Sequence, residues 1–117
     1  MEKVLSEIWV SNGESINKYT CIWDTGSMET LVSEKVISDL TPDKHGYAYI
    51  KTIHGEKRSD KYILQLSLEN HTQSIKINPA CFGKSGEFDV IIGMDIIQHG
   101  LFVLDKGKFS FTVEQLK

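Results

Sequence analysis

Ile22-Trp23-Asp24-Thr25-Gly26-Ser27 is the stretch on which the reading of this chain turns. Just upstream, Tyr19, Cys21 and Trp23 alternate with Thr20, Ile22 and Asp24, the period of a β-strand with one face on a core. That strand runs straight into Asp-Thr-Gly, so a carboxylate stands at the end of an apolar segment. Desolvating it there is costly unless hydrogen bonds or charge compensate. A hydroxyl, a residue with no side chain and a second hydroxyl follow it. Asp beside Gly is also common in tight turns. On this segment alone a structural turn and a catalytic carboxylate are both open readings.

Working outward, Phe88-Asp89-Val90-Ile91-Ile92-Gly93-Met94-Asp95-Ile96 is an apolar strand that meets a glycine and then a short helix. Period-two alternation recurs elsewhere: Val4, Ser6, Ile8 and Val10 before the turn signal Ser11-Asn12-Gly13; Tyr62, Leu64, Leu66 and Leu68; and Phe109, Phe111 and Val113. Glu69-Asn70-His71 reads as a hairpin turn into Ser74–Ile77. Ser33 is suited to cap a helix over Glu34–Leu40 that stops before Pro42. A second helical turn or two is expected over Met94–His99, ended by Gly100. Many short strands with turns between them predict an all-β barrel or sandwich with one or two short helices, a single domain over residues 1–117.

Composition narrows the function. Apolar residues make up 40% and charged residues 25% of the 117, ordinary for a globular chain. A net charge of -3 and scattered Lys and Arg give no footprint for nucleic acid. No apolar run approaches the roughly 20 residues of a spanning helix. No secretory signal is visible at Met1-Glu2-Lys3-Val4, which makes cytoplasmic the expected location. Cys21 and Cys81 do not make a disulfide framework, so free thiols are expected. His45, His54, His71 and His99 have no zinc-site spacing with the cysteines, so no metal is expected. Ser27 and Ser33 lack the Gly-x-Ser-x-Gly frame of a serine hydrolase.

The two segments together resemble the retropepsin-like branch of the aspartic peptidases, whose marks are apolar-Asp-Thr-Gly early and apolar-apolar-Gly later. The resemblance covers roughly residues 4 to 114 and implies a closed acid-protease barrel. It also implies an aspartic endopeptidase that needs no cofactor, because water is the nucleophile. Two carboxylates about 3 Å apart cannot both ionise, so such a pair shares one proton. This chain has a single Asp-Thr-Gly; Asp43-Lys44-His45 and Asp105-Lys106-Gly107 lack the hydroxyl and the apolar lead-in. A second carboxylate therefore has to come from a second copy, and a two-fold axis sets Asp24 opposite Asp24. Homodimer and peptide substrate are the expected partners.

The resemblance also assigns supporting roles. Thr25 is expected to hydrogen-bond across the dimer, although a strand-end Thr satisfying its own backbone is the plain alternative. Gly26 allows close backbone approach. Ser27, where viral relatives often have Ala, is expected to donate to Asp24, favouring its charged form and a more acid pH optimum. Gly93 is expected to support the site by packing beneath the catalytic turn rather than to react. Tyr49–Glu56 falls where relatives carry a hairpin flap, with Ile53, His54 and Gly55 over the substrate; an ordinary exposed hairpin is the alternative. Asp89 and Asp95 read as turn and helix-start acids.

The chain departs from the viral pattern at Met28 and Met94, where viral enzymes place an acid and an Arg that pair. The Gly-Met-Asp-Ile ending looks more like bacterial and cellular members. A catalytically inactive binding or dimerisation module on the same fold is the rival reading, because fold alone does not imply activity.

Overall fold

A computed structural model describes residues 5–52, 55–68, 74–84, 86–98, 100–105 and 108–113. Strand β1 (Leu5–Ser11) buries Ile8 and Val10, and β2 (Ile16–Trp23) buries Tyr19, Cys21 and Trp23, the alternating sets expected from sequence. The strands pair antiparallel, with Ile8 opposite Tyr19 and Ser6 opposite Cys21. Asn12 organises the turn between them. Its Oδ1 accepts from the amides of Glu14 and Ser15 at 2.8 and 2.7 Å, and its Nδ2 reaches the Leu40 carbonyl at 2.6 Å. Gly13 takes the left-handed φ of +98° that this turn requires.

Beyond the turn after β2 come β3 (Leu31–Ser33) and α1 (Glu34–Leu40). Ser33 caps α1 as expected, its Oγ accepting from the Val36 amide. The same hydroxyl donates to Asp89 Oδ1 at 2.8 Å, so Asp89 is a buried acid tied to the helix cap rather than a loose turn residue.

Strands β4 (Lys44–Thr52) and β5 (Gly55–Tyr62) form a long antiparallel hairpin. Next come β6 (Leu64–Leu68), β7 (Ser74–Ile77), β8 (Ala80–Gly83), β9 (Val90–Ile92) and α2 (Met94–Ile97). A final hairpin joins β10 (Gly100–Asp105) to β11 (Lys108–Val113).

Nine strands make one sheet in the order β4-β5-β8-β3-β9-β2-β1-β6-β7. Strand β9 lies between β2, to which it runs parallel, and β3, to which it runs antiparallel. That placement matters most for function, because it sets the end of β9 beside the end of β2. Ile8, Val10, Cys21, Val32, Val36, Leu40, Leu64, Leu66, Val90 and Ile92 form the buried core.

Two local expectations need correction. The alternation from Tyr62 to Leu68 is not one strand. Tyr62 ends β5, with its amide on the Pro79 carbonyl; Ile63 then turns to the Asp43 carbonyl, and β6 begins at Leu64 against β1 and β7. The side-chain phase survives while the pairing partner changes. Helix α2 ends at Ile97 with Gln98 as its cap, so Gly100 is not a helix stop but the first residue of β10, opposite Val113. His99 and the turn Glu69-Asn70-His71 lie outside the described residues.

Burial of weak acids in this core gives the fold an alkaline limit. Desolvation by burial pushes the Cys21 thiol up to about 11 and, with the carboxylate of Asp39 adding to it, the Tyr19 hydroxyl up to about 12. Both folded values lie above the ordinary 9.0 of a thiol and 10.0 of a phenol, so folding favours the protonated forms. Their contribution to stability is whole below pH 9 and drains away as pH rises through about 11 and then about 12. Urea melts should therefore hold their midpoint from pH 7 to about 9 and lose it progressively above; a flat midpoint to pH 11 contradicts this.

Candidate active site

The site is built where β2 ends. The Asp24 amide donates to the Ile92 carbonyl at 2.9 Å, extending the β2–β9 ladder by one rung into the turn. The Ser27 amide closes the turn on the Asp24 carbonyl at 3.1 Å, and the Gly26 amide donates to Asp24 Oδ1 at 2.8 Å. The carboxylate is thus half-buried and oriented by its own turn, while Thr25 and Gly26 are exposed at the tip. A Cβ on Gly26 would stand 3.1 Å from Asp24 Oδ1, so any side chain there presses on the carboxylate itself.

Behind the turn, the Trp23 indole N–H donates to Ser6 Oγ at 2.9 Å, and Ser6 Oγ also meets Cys21 Sγ at 3.2 Å. These contacts fix the last two inward side chains of β2 against β1.

Ser27 is placed beside Asp24 in the turn, but its hydroxyl does not serve it. Ser27 Oγ donates to the Glu29 carbonyl at 2.6 Å, which spends its one proton on the backbone of the following loop. The acid-shifted optimum expected from a Ser27–Asp24 hydrogen bond therefore loses its donor. The amide of Gly26 makes that contact instead.

Gly93 lies directly under the turn. A Cβ there would come within 2.6 Å of the Glu29 carbonyl oxygen and 2.8 Å of the Ser27 carbonyl oxygen. The next amide, Met94 N, donates to Ser27 O at 2.7 Å, and Asp95 N donates to Met28 O at 3.2 Å. Met94 packs partly against the core and Met28 is 78% exposed. Backbone hydrogen bonds thus join turn and helix at the two positions where the viral pattern has an ion pair.

Sequence reading passes over Thr30 and takes Asp95 for a helix-start acid. Asp95 does stand in the first turn of α2, but both its oxygens are engaged. Oδ2 accepts from the Thr30 amide at 3.0 Å and Oδ1 from the Thr30 hydroxyl at 2.8 Å. Thr30 Oγ1 in turn accepts from the Gly93 amide at 3.2 Å. The available signal was a Thr leading into an apolar strand soon after the Asp-Thr-Gly turn, too weak to separate from chance.

The stretch Tyr49–Glu56 falls within the β4–β5 hairpin. Thr52 pairs with Gly55, which has φ +108°; Ile53 and His54 lie outside the described residues. Ala48 and Ile50 are half-buried on one face, and Tyr47 and Tyr49 are exposed on the other, with Arg58 stacked 4.3 Å from the Tyr47 ring. Asn78 ties the hairpin base by donating to the His45 and Tyr62 carbonyls at 3.2 and 2.9 Å. Among the described residues no His, Cys, Asp and Glu cluster is placed to hold a metal ion, and no helix is long and apolar enough to cross a membrane.

No protein-family model matches the sequence, and no curated protein matches it as a relative. Solved structures do match. The protease of simian foamy virus (mac) superposes with a TM-score of 0.58 at 22% identity, over 81% of this chain and 92% of that one. A retropepsin-like aspartic protease from Rickettsia conorii superposes with a TM-score of 0.61 at 16% identity, over 96% of this chain and 94% of that one. Both likenesses span most of either chain, so this protein has the mostly β, retropepsin-like fold of the aspartic proteases.

Proposed function

We propose that this chain is one half of a homodimeric aspartic endopeptidase in which two Asp24 carboxylates, one per subunit, activate water. The observation that carries the reading is the Asp24 turn: an oriented, half-buried carboxylate at a strand end, floored by β9 and Gly93, in a fold it shares with two proteases.

In the proposed reaction the two carboxylates hold one proton between them. The ionised one takes a proton from water as the water oxygen bonds to the peptide carbonyl carbon. The protonated one donates to the carbonyl oxygen. Collapse of the tetrahedral species breaks the C–N bond, and a proton passes to the leaving nitrogen. Thr25 and Gly26 are exposed at the tip; in this reading Thr25 meets the partner's turn and Gly26 leaves room for that approach. The β4–β5 hairpin closes over an extended peptide, adding main-chain hydrogen bonds of the β type. The free thiols of Cys21 and Cys81 suit the cytoplasmic location that completes the proposal.

Two measurements test it. Light scattering should give twice the 13.3 kDa of one chain at micromolar concentration; a strictly monomeric protein leaves Asp24 without its twin. Incubation with a peptide library between pH 4 and 7 should yield cleavage that depends on Asp24.

A further inference from the structure

Resting on that peptidase reading, we infer that Asp95 and Thr30 form a clip that positions the Asp24 carboxylate, making both of them positioning residues for the reaction. The loop from Asp24 to Thr30 leaves β2 and enters β3, and it is fastened to the β9–α2 segment at successive points. Asp24 N on Ile92 O holds one end, and Met94 N on Ser27 O and Asp95 N on Met28 O hold the middle. The far end is held through side-chain acceptors: Thr30 N and Oγ1 on the two oxygens of Asp95, and Gly93 N on Thr30 Oγ1.

Thr30 is only 1% exposed, so no water stands in for these partners. A carboxylate accepts through both oxygens and donates through neither, which suits two donors that converge from one residue. The Thr30 hydroxyl is used in both directions, donating to Asp95 and accepting from Gly93. It therefore links the helix acid to the glycine beneath the catalytic turn in one chain of contacts. An acid present only to favour the start of α2 needs no such partner, and Glu would replace it.

Loosening the clip frees the loop that carries Ser27 and Glu29 over Gly93, and with it the angle at which Asp24 leaves β2. Errors of about 1 Å in a reacting group cost as much as a hundredfold in rate. Substrate contacts made elsewhere are untouched, so the effect falls on kcat rather than KM.

The test uses the full chain as its natural assembly. Thr30→Val keeps the buried volume and removes the hydroxyl; kcat should fall at least about tenfold, with KM little changed. The Gly26 amide resonance, which reports its hydrogen bond to Asp24 Oδ1, should shift. Thr30→Ser should return both to wild-type values. Unchanged kcat in Thr30→Val, or a loss that Thr30→Ser does not restore, overturns the clip. Should Thr30→Val fail to fold, Asp95→Asn, at a half-buried position, is read by the same two measurements. A wild-type protein that cleaves nothing defeats the peptidase reading by itself. The clip is then decided on the Gly26 resonance alone, where a shift reversed by Thr30→Ser supports it and an unmoved signal overturns it.

Discussion

Asp24→Asn should abolish peptide cleavage, lowering kcat by at least about 10³-fold, while the protein stays folded and dimeric. A positioned acid or base contributes roughly 10² to 10⁴ in rate. In the proposed homodimer one substitution removes both groups at once. An amide neither takes a proton from water nor shares one with its twin. Structure should survive, since Asn keeps the size of Asp and an oxygen able to accept the Gly26 amide that now sits 2.8 Å from Oδ1. Cleavage by peptide-library mass spectrometry and assembly by light scattering are the paired measurements. Activity retained in the variant, or no activity in the wild type between pH 4 and 7 with dimers intact, would move the protein to the rival reading of a binding or dimerisation module.

Gly93→Ala should destabilise the fold and the site together, because among the described glycines Gly93 has the least room for a methyl. Its Cβ would lie 2.6 and 2.7 Å from the Glu29 carbonyl group and 2.8 Å from the Ser27 carbonyl oxygen, all backbone atoms. None of them swings aside like the end of a flexible side chain. The neighbours are pinned as well, because Ser27 O takes the Met94 amide at 2.7 Å and Glu29 O takes the Ser27 hydroxyl at 2.6 Å. Overpacking of a tight site costs about 3 kcal/mol at its upper range, which for a domain of this size lowers Tm by roughly 10 °C. The molecules that remain folded should also lose activity, because relief of the clash moves the loop that carries Asp24. Thermal melts with activity measured well below the transition separate the two effects. A variant as stable and active as wild type would show that Gly93 does not bear on the turn.

How far the sequence led depended on how local each feature was. Period-two alternation placed β1 and β2 with their inward faces, and Ser33 followed by Glu34–Leu40 placed α1 with its cap, because those patterns are decided within a few residues. The Asp24 turn and the Gly93 support were legible for a different reason: two short motifs in the right order. Strands β3 and β8 were not legible, since three or four residues carry no usable period and their pairing comes from strands far away in the chain. Tyr62 shows the same limit from the other side, where an unbroken alternation hides a change of partner.

By itself, then, the sequence determined the strand content, the first helix, and the candidacy of a lone Asp-Thr-Gly that needs a second copy to form a pair. Tertiary structure alone decided who receives each proton: that Ser27 gives its hydrogen to Glu29 and not to Asp24, and that Asp95 answers Thr30 from 65 positions away. The physical reason is that side-chain periodicity is written along the chain. A hydrogen bond instead goes to whichever acceptor folding brings within about 3 Å, and that choice is made only when distant strands lie side by side.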